Sequence, residues 1–98
     1  MTIRHVVTWK LAATDESERT EHAAAVKAKL ESLVGVVPEI ERLEVGVNVL
    51  PGNFDLVLIG DFADLDAVAR YQVHPAHEEV AAYIRSVVDG RSAVDFEV

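Results

Sequence analysis

The spacing of the apolar residues changes repeatedly along the chain, and this order constrains the fold more than any single motif. Residues 3–11 place apolar side chains at every second position, which is typical of a strand with one buried face. Residues 15–35 place them three and four apart, which is typical of an amphipathic helix. Two further strand patterns, a second helical segment and a final strand pattern follow. The predicted order is therefore β-α-β-β-α-β.

The first strand and the first helix carry clear facing patterns. One face of the strand is predicted to hold Ile3, His5, Val7, Trp9 and Leu11. His5 therefore shares a face with the most apolar residues of the segment. Asp15, three residues before Glu18, is typical of a helix N-cap, and Gly35 is typical of a helix end. The buried stripe of the helix is predicted to contain Ala23, Val26, Leu30, Leu33 and Val34.

Two alternating segments in the middle of the chain flank the turn sequence at residues 51–53, Pro-Gly-Asn, and predict a β-hairpin. The inward face of this hairpin is expected to hold Leu43, Val45, Val47, Val49, Phe54, Leu56, Leu58 and Phe62. Gly60 lies inside the second of these strands. A glycine at such a position indicates either a bulge or the close approach of another group.

Pro75 divides the second helical segment. Proline disfavours helical backbone at the residue before it, so we expect a helix that is N-capped by Asp64 to stop near His74. Proline suits the first position of a helix, so a new helix is expected to begin at Pro75 and to end at Gly90. Its buried stripe is predicted to contain Val80, Tyr83, Ile84 and Val87 or Val88. Residues 91–98 alternate as a final strand.

This order predicts one α+β domain over residues 1–98, with a four-stranded antiparallel sheet and helices on one face in the ferredoxin-like arrangement. The other face of the sheet is then uncovered. We expect that face to hold Val6, Thr8, Gly46, Asn48, Val57, Ile59 and Ala93. It is too apolar to face water, so we predict a homodimer in which two open sheet faces cover each other as a dimeric α+β barrel.

Charge and composition exclude several classes of function. The formal net charge is −8 and the nine lysines and arginines are scattered, which argues against nucleic acid or an anionic membrane as a partner. The chain contains no cysteine, which excludes disulfides, thiolate metal sites and cysteine nucleophiles. Its beginning does not resemble a signal peptide and no apolar stretch has membrane-spanning length, so we expect a cytoplasmic protein.

Residues 71–80, YQVHPAHEEV, concentrate groups that can transfer protons. They contain Tyr71 and two of the four histidines, His74 and His77. An aldol or isomerisation step needs a base for an acidic C–H and a donor for the developing enolate oxygen. A neutral His77 can supply the base and Tyr71 the donor. The inward-facing His5 is the third polar group that we expect in the same interior.

Two other interpretations of these residues stay open. In the structural one, His74 caps a helix, His77 bonds to a strand end, and His5 is a satisfied core histidine. In the other, His5, His74 and His77 bind a metal, but their spacing straddles a helix start and no carboxylate completes the ligand shell. We therefore predict neither a metal nor any other cofactor, haem included. Asp55, Asp61 and Asp95 are assigned no chemistry.

Four segments of the chain, IRHVVTWKL, LEVGVNVLPGNFDLVLIGDF, YQVHPAHEEV and AVDFEV, together resemble the stress-responsive α/β-barrel (Dabb) domain family. The resemblance covers essentially the whole chain. It implies a dimeric α+β barrel built from ferredoxin-like protomers. One plant member is a cofactor-free cyclase that closes a linear polyketide into olivetolic acid. Its tyrosine and histidine match Tyr71 and His77, and the histidine that matches His5 lines its pocket.

The resemblance therefore implies a pocket between sheet and helices with His77, Tyr71 and His5 as its catalytic groups. His74, Trp9 and Val7 are expected to line it. The implied activity is a cofactor-free acid/base cyclisation of a polyketide-like or other apolar carbonyl molecule. A tyrosine in the first helix of the plant cyclase has no counterpart here. The alternative function is a non-catalytic stress-response or ligand-binding dimer, in which the Tyr/His block is structural.

Overall fold

The computed structural model of the chain describes residues 1–98 and contains four strands and three helices. In chain order these are β1 (Ile3–Leu11), α1 (Glu16–Glu31), β2 (Arg42–Val47), β3 (Leu56–Phe62), α2 (Leu65–Val73), α3 (Pro75–Val87) and β4 (Val88–Glu97). This order confirms the ferredoxin-like α+β prediction, and the second helical segment is divided at Pro75 as predicted. None of the three helices combines the length and the apolar character that a membrane span requires.

The four strands form one antiparallel sheet in the order β2-β3-β1-β4. The central strand β1 therefore pairs on both sides. In its middle, His5 lies opposite Gly60 of β3 and opposite Asp95 of β4. Residues that lie directly opposite each other point to the same face of a sheet. These pairings therefore decide which side chains of β3 and β4 share a face with His5.

Polar side chains set the start of each helix. A carboxylate oxygen of Asp15 accepts a hydrogen bond from the backbone N–H of Glu18 at 2.9 Å. Asp64 does the same for the N–H of Ala67 at 2.8 Å. Each of these bonds satisfies an N–H group that has no partner within the helix, so both aspartates act as the predicted N-caps.

The hydrophobic core lies between the helices and the inner face of the sheet, where all five inward residues of β1 are buried. Phe62 at the end of β3 and Val26 of α1 are completely inaccessible to solvent. The buried stripe of α1 contains Ala23, Val26 and Leu30, and Leu33 follows it in the next turn. Val34 was predicted to belong to this stripe. It is exposed because α1 has already ended at Glu31.

The β2–β3 hairpin is shorter than its alternating pattern suggests. β2 ends at Val47 and β3 begins at Leu56, so Asn48, Val49 and Phe54 belong to the connection. The inward prediction is therefore wrong for Val49 and Phe54, which are exposed, whereas Val47 pairs with Leu56 on the inner face and is exposed at the end of its strand. Asn48 was predicted on the open sheet face, but its amide group bonds within the connection, to the carbonyl of Leu50. An alternating sequence forms a strand only where a neighbouring strand pairs with it. The two strands of this hairpin therefore extend only as far as their pairing does.

The last strand departs furthest from prediction. α3 ends at Val87 and β4 begins at once, so Gly90 lies inside β4 and does not end the helix. Ala93 pairs with Val7 of β1 and therefore belongs to the inner face, not to the open face as predicted. Val94 and Phe96 take its place on the open face, where both are exposed.

The open face of the sheet carries a polar patch and an apolar patch. At one end, the Arg4 guanidinium donates two hydrogen bonds to Asp61, from Nε at 2.8 Å and from an Nη at 3.1 Å. The Arg4 hydrogen bond holds the pKa of Asp61 below its usual value of 3.8. The remainder of this face is mostly apolar and contains Val6, Thr8, Gly46, Val57, Ile59, Val94 and Phe96.

Candidate functional site

A cavity of about 660 Å³ lies between the inner face of the sheet and the second helical segment. Its lining includes five of the six predicted site residues, His5, Val7, Trp9, Tyr71 and His77. The other lining residues are Leu30, Leu58, Gln72, Ala81, Ile84, Arg85, Val88, Asp89, Gly90 and Arg91. A second cavity, of about 540 Å³ beside the β2–β3 connection, is lined by no histidine or tyrosine. The first cavity is therefore the candidate site.

His74 is the one predicted lining residue that does not reach this cavity. Its backbone is extended and its ring forms the N-cap of α3, where Nδ1 accepts a hydrogen bond from the N–H of Ala76 at 3.1 Å. Pro75 at the first helical position has no N–H and needs no partner. The structural interpretation of His74 is therefore the one that its contacts favour.

His77 lies one turn into α3 and its ring faces the cavity. Its Nδ1 is 3.0 Å from the backbone carbonyl of Gln72, which can only accept a hydrogen bond. Nδ1 therefore carries the proton, and Nε2 of the neutral ring keeps a free lone pair. Burial lowers the pKa of His77 below its usual 6.5, and the Gln72 carbonyl partly opposes this effect. The neutral ring is accordingly the favoured form near pH 7.

Tyr71 is buried beside His77, at the end of α2. Its ring packs between those of Phe62 and His77, with centroid distances of 4.9 Å and 4.3 Å. Burial raises the pKa of Tyr71 to about 12, because the phenolate is poorly solvated there. The hydroxyl therefore stays protonated near neutral pH. The hydroxyl makes no hydrogen bond within the chain, and its oxygen is not completely closed off from solvent. It can therefore donate a hydrogen bond to a molecule in the cavity.

His5 contributes a third polar group from the sheet. Its Nδ1 lies 2.5 Å from a carboxylate oxygen of Asp95, the residue opposite it in β4. The side chain of His5 is only 4 % exposed, whereas that of Asp95 is 35 % exposed. The carboxylate requires a proton on Nδ1, which leaves Nε2 as the ring nitrogen available to other groups. The centroid of this ring is 6.2 Å from that of Tyr71.

Asp95 is the member of this cluster that sequence reasoning missed. A signal was present, because Asp95 alternates with the apolar residues Val94 and Phe96 in the last strand. That pattern puts Asp95 on the opposite face from both of them. It does not tell which face meets the helices, and so it does not connect Asp95 with His5.

Gly60 allows the aromatic side chains to approach the sheet. A Cβ atom at this position would lie 3.0 Å from a ring carbon of Phe62, closer than Cβ atoms normally come to another carbon. The Phe62 ring can therefore lie over the Gly60 backbone, with its centroid 6.1 Å from that of His5. Of the two predicted interpretations of Gly60, the close approach is the one observed.

The cluster has the groups for proton transfer and lacks the arrangement of a metal site. No three of the histidine, aspartate and glutamate side chains lie close enough together to hold a metal ion. In particular, His5 and His77 line the cavity while His74 points into the α2–α3 junction. A neutral imidazole and a protonated phenol side by side in a largely apolar cavity can accept one proton and stabilise one oxyanion.

Several known ferredoxin-like structures share the fold of this chain. It superimposes on a dimeric ferredoxin-like protein of unknown function from Bacteroides fragilis with a TM-score of 0.92, at 28% identity and over 99% of this chain and 96% of that one. A dimeric ferredoxin-like protein of unknown function from Thermobifida fusca gives a TM-score of 0.81, at 27% identity and over 100% and 92% of the two chains. No curated protein sequence is significantly similar.

The fold also occurs in a cofactor-independent oxygenase, SnoaB from Streptomyces nogalater. The two chains share 15% identity at a TM-score of 0.78, over 99% of this chain and 92% of the oxygenase, so the likeness concerns the fold alone. The sequence itself matches the profile of the stress-responsive A/B barrel domain over residues 3–98. The chain therefore belongs to the stress-responsive A/B barrel (Dabb) domain family.

Proposed function

We propose that the cavity binds a carbonyl-bearing small molecule and catalyses cofactor-free proton transfer next to its carbonyl group, as an aldol-type cyclase of polyketide-like compounds does. One observation carries the proposal. The centroid of the neutral His77 ring, whose Nδ1 proton is held by the Gln72 carbonyl, lies 4.3 Å from that of the Tyr71 ring, whose hydroxyl stays protonated. A base and an oxyanion donor are thereby adjacent within one cavity.

The proposed step begins with a ketone whose oxygen accepts a hydrogen bond from the Tyr71 hydroxyl. Nε2 of His77 takes a proton from the carbon next to the carbonyl, so a C–H bond breaks, an N–H bond forms and an enolate remains. The enolate carbon then attacks a second carbonyl of the same molecule, which forms a C–C bond and closes a ring. The new alkoxide regains the proton from His77, and no external reductant or oxidant is needed.

His5 and Asp95 support this site from the sheet side. The Asp95 carboxylate holds the His5 ring by its Nδ1, so that Nε2 is available within the same cavity as Tyr71 and His77. We assign Nε2 of His5, which carries a lone pair in the neutral ring, to accepting a hydrogen bond from a second polar group of the ligand, such as an enol or hydroxyl O–H. Asp95 acts through His5 and is a positioning residue.

Deuterium exchange tests the chemistry without knowledge of the natural substrate. 4-Oxo-octanoate is incubated with the protein in deuterated buffer, and incorporation at the carbons flanking the ketone is followed by NMR. The wild-type protein is expected to exceed buffer containing an equal concentration of imidazole. His77→Ala is expected to lose about 100-fold or more of this rate, the usual contribution of a general base. His22→Ala is a matched control, because His22 lies on α1 and does not line the cavity.

The alternative function is a non-catalytic ligand-binding or stress-response dimer. Contacts at the α2–α3 junction favour it, because His74 caps α3 and His77 also bonds to the backbone of α2. Binding of 4-oxo-octanoate without any exchange above the imidazole control would support this alternative and contradict the catalytic proposal. A large loss of thermal stability in His77→Ala would point in the same direction.

The homodimer predicted from the sequence is part of the proposal, as is the cytoplasmic location. Support for the dimer comes from the open sheet face, where Val94 and Phe96 are 60% and 45% exposed. Isolated domains rarely leave such a contiguous apolar surface in water. The two related proteins from Bacteroides fragilis and Thermobifida fusca are dimeric. A second copy placed face to face would cover this surface and leave the cavity on the far side of each sheet.

A charge on the open face tests the dimer. Val94→Glu is expected to produce a monomer in light scattering at micromolar concentration, where the wild-type chain is expected to be a dimer. Val49→Glu is the matched control, because Val49 is even more exposed at 95% but lies in the β2–β3 connection, outside the strands of the open sheet face. A monomeric wild-type protein, or equal dissociation by both variants, would contradict this interface.

A further inference from the structure

The six arginines of this acidic chain differ in whether they pair with a carboxylate. Four of the six, Arg4, Arg19, Arg42 and Arg70, each lie within ion-pair distance of a carboxylate. Arg85 and Arg91 have no such partner, and both line the cavity that holds His77. In a chain with a net charge of −8, the two arginines without carboxylate partners therefore meet at a single cavity.

The fold brings these two arginines together from different elements. Arg85 lies on the same face of α3 as His77, two turns later, and Ala81 between them also lines the cavity. The rise of an α-helix separates the backbone positions of His77 and Arg85 by about 12 Å. Arg91 faces the same cavity from β4, just after the tight α3–β4 junction. The cavity therefore has a histidine–tyrosine end and a cationic end.

The charge of the cationic end is not neutralised within the chain. Asp89 is the one carboxylate residue that lines the cavity, and it forms no ion pair with Arg85 or Arg91. The Arg85 charge acts across the cavity, since it contributes to lowering the pKa of His77. Guanidinium groups bind carboxylates through paired N–H donors whose planar geometry matches the two carboxylate oxygens.

We infer that this cavity selects ligands that carry an organic carboxylate, which Arg85 and Arg91 bind while the carbonyl group lies at Tyr71 and His77. The substrate class is thus an elongated keto acid. This inference deepens the proposed function and rests on its assignment of the carbonyl end of the cavity. Arg85 and Arg91 are specificity-determining residues, and they take no part in the proton transfer itself.

Trp9 provides a direct readout of binding, because it is the only tryptophan of the chain and it lines the cavity. Its fluorescence is titrated with 4-oxo-octanoate and with the methyl ester of the same acid, which lacks the charge. The wild-type protein is expected to bind the carboxylate at least about tenfold more tightly, the scale of a charge-assisted hydrogen-bond pair. Added salt is expected to reduce this preference, because it screens exposed charges.

The variants separate the two arginines from the overall charge of the protein. In the double variant Arg85→Gln with Arg91→Gln, the preference for the carboxylate is expected to disappear. Arg70→Gln is the matched control and is expected to keep it, because Arg70 pairs with Glu39 and does not line the cavity. Both arginines of the double variant are exposed and lack carboxylate partners, so the fold is expected to tolerate their replacement.

Each outcome decides the inference. Equal affinity of the wild-type protein for acid and ester overturns it, as does an equal effect of Arg70→Gln and the double variant. Absence of binding by both compounds overturns the proposed function together with it. A carboxylate preference that depends on Arg85 and Arg91 supports the inference even if deuterium exchange is absent, in which case only the proposed chemistry fails.

Discussion

Arg4 and His5 are neighbours in β1 but point to opposite faces of the sheet, and each meets an aspartate on an adjacent strand. Arg4 bonds to Asp61 of β3 on the open face, and His5 bonds to Asp95 of β4 on the inner face. The guanidinium uses two nitrogens on two carboxylate oxygens. The imidazole uses only Nδ1, and its other nitrogen has no partner in the chain.

This difference separates a structural pair from a candidate functional one. The Arg4–Asp61 pair is closed on itself by two parallel hydrogen bonds, and Asp61 also lies 3.9 Å from Arg42. The His5–Asp95 pair opens onto a cavity in which Tyr71 and His77 offer an unused hydroxyl and an unused lone pair. We therefore expect changes on the open face to affect stability and changes on the inner face to affect activity.

After His77→Ala, the largest expected effect is that of Tyr71→Phe. This variant removes the hydroxyl and keeps the ring that packs against Phe62 and His77. Deuterium exchange into 4-oxo-octanoate should fall about 100-fold, the usual cost of losing one oxyanion donor. The melting temperature should change little. An unchanged exchange rate would remove Tyr71 from the mechanism and leave it as a packing residue.

Asp95→Asn should have the next largest effect. The amide keeps the size of the carboxylate but not its charge, and its NH2 group can donate to Nδ1, so the proton of His5 is no longer held on Nδ1. Exchange should fall about tenfold, less than for Tyr71→Phe, because Asp95 acts on the ligand only through the His5 ring. The pH–rate profile should also change its shape, which a purely structural role of Asp95 would not cause. Stability should stay within about 0.5 kcal/mol, because Asp95 is partly exposed.

Asp61→Asn should give the opposite result. Loss of the carboxylate weakens two hydrogen bonds from Arg4, and the free energy of unfolding in urea should fall by about 1 kcal/mol. Exchange activity should not change, because Asp61 lies on the face away from the cavity.

Glu44→Gln is the control, because its one contact with Arg42 at 3.3 Å is exposed and should contribute almost nothing. All measurements use one protein concentration, since a dimer gains stability with concentration. A loss of activity in Asp61→Asn would break the comparison.

The smallest expected effects are two steps in the pH dependence of stability. The pKa of His77 is lowered in the folded protein, so the unfolded chain binds this proton first and stability falls as pH drops below about 6.5. The pKa of Asp61 is also lowered, by Arg4, so its contribution is present above about pH 3.8 and is lost below that value. In urea titrations between pH 3 and pH 8, His77→Gln should remove only the loss of stability that begins near pH 6.5. Asp61→Asn should remove only the loss that begins near pH 3.8. Flattening of both steps by one variant would indicate that the two regions are coupled.

Local sequence patterns were sufficient to predict much of this fold. Alternation in β1 placed His5 inward, two aspartates marked helix starts, and Pro75 marked the division between α2 and α3. These features depend on interactions between residues close in sequence, such as a side chain that caps the next turn. The expectation that His5, Tyr71 and His77 share one interior followed from the element order, and the cavity lining includes all three.

Only the tertiary structure decided what the last strand contributes. Its alternating pattern is compatible with either face, because a shift of register by one residue exchanges the two faces of a strand. Pairing of Ala93 with Val7 placed Asp95 beside His5 and left Val94 on the open face. The same pairing, together with the immediate passage from α3 into β4, brought Arg85 and Arg91 to one cavity. By itself, the sequence determined the elements and their order. The partners across the sheet depend on long-range hydrogen bonds that no local pattern encodes.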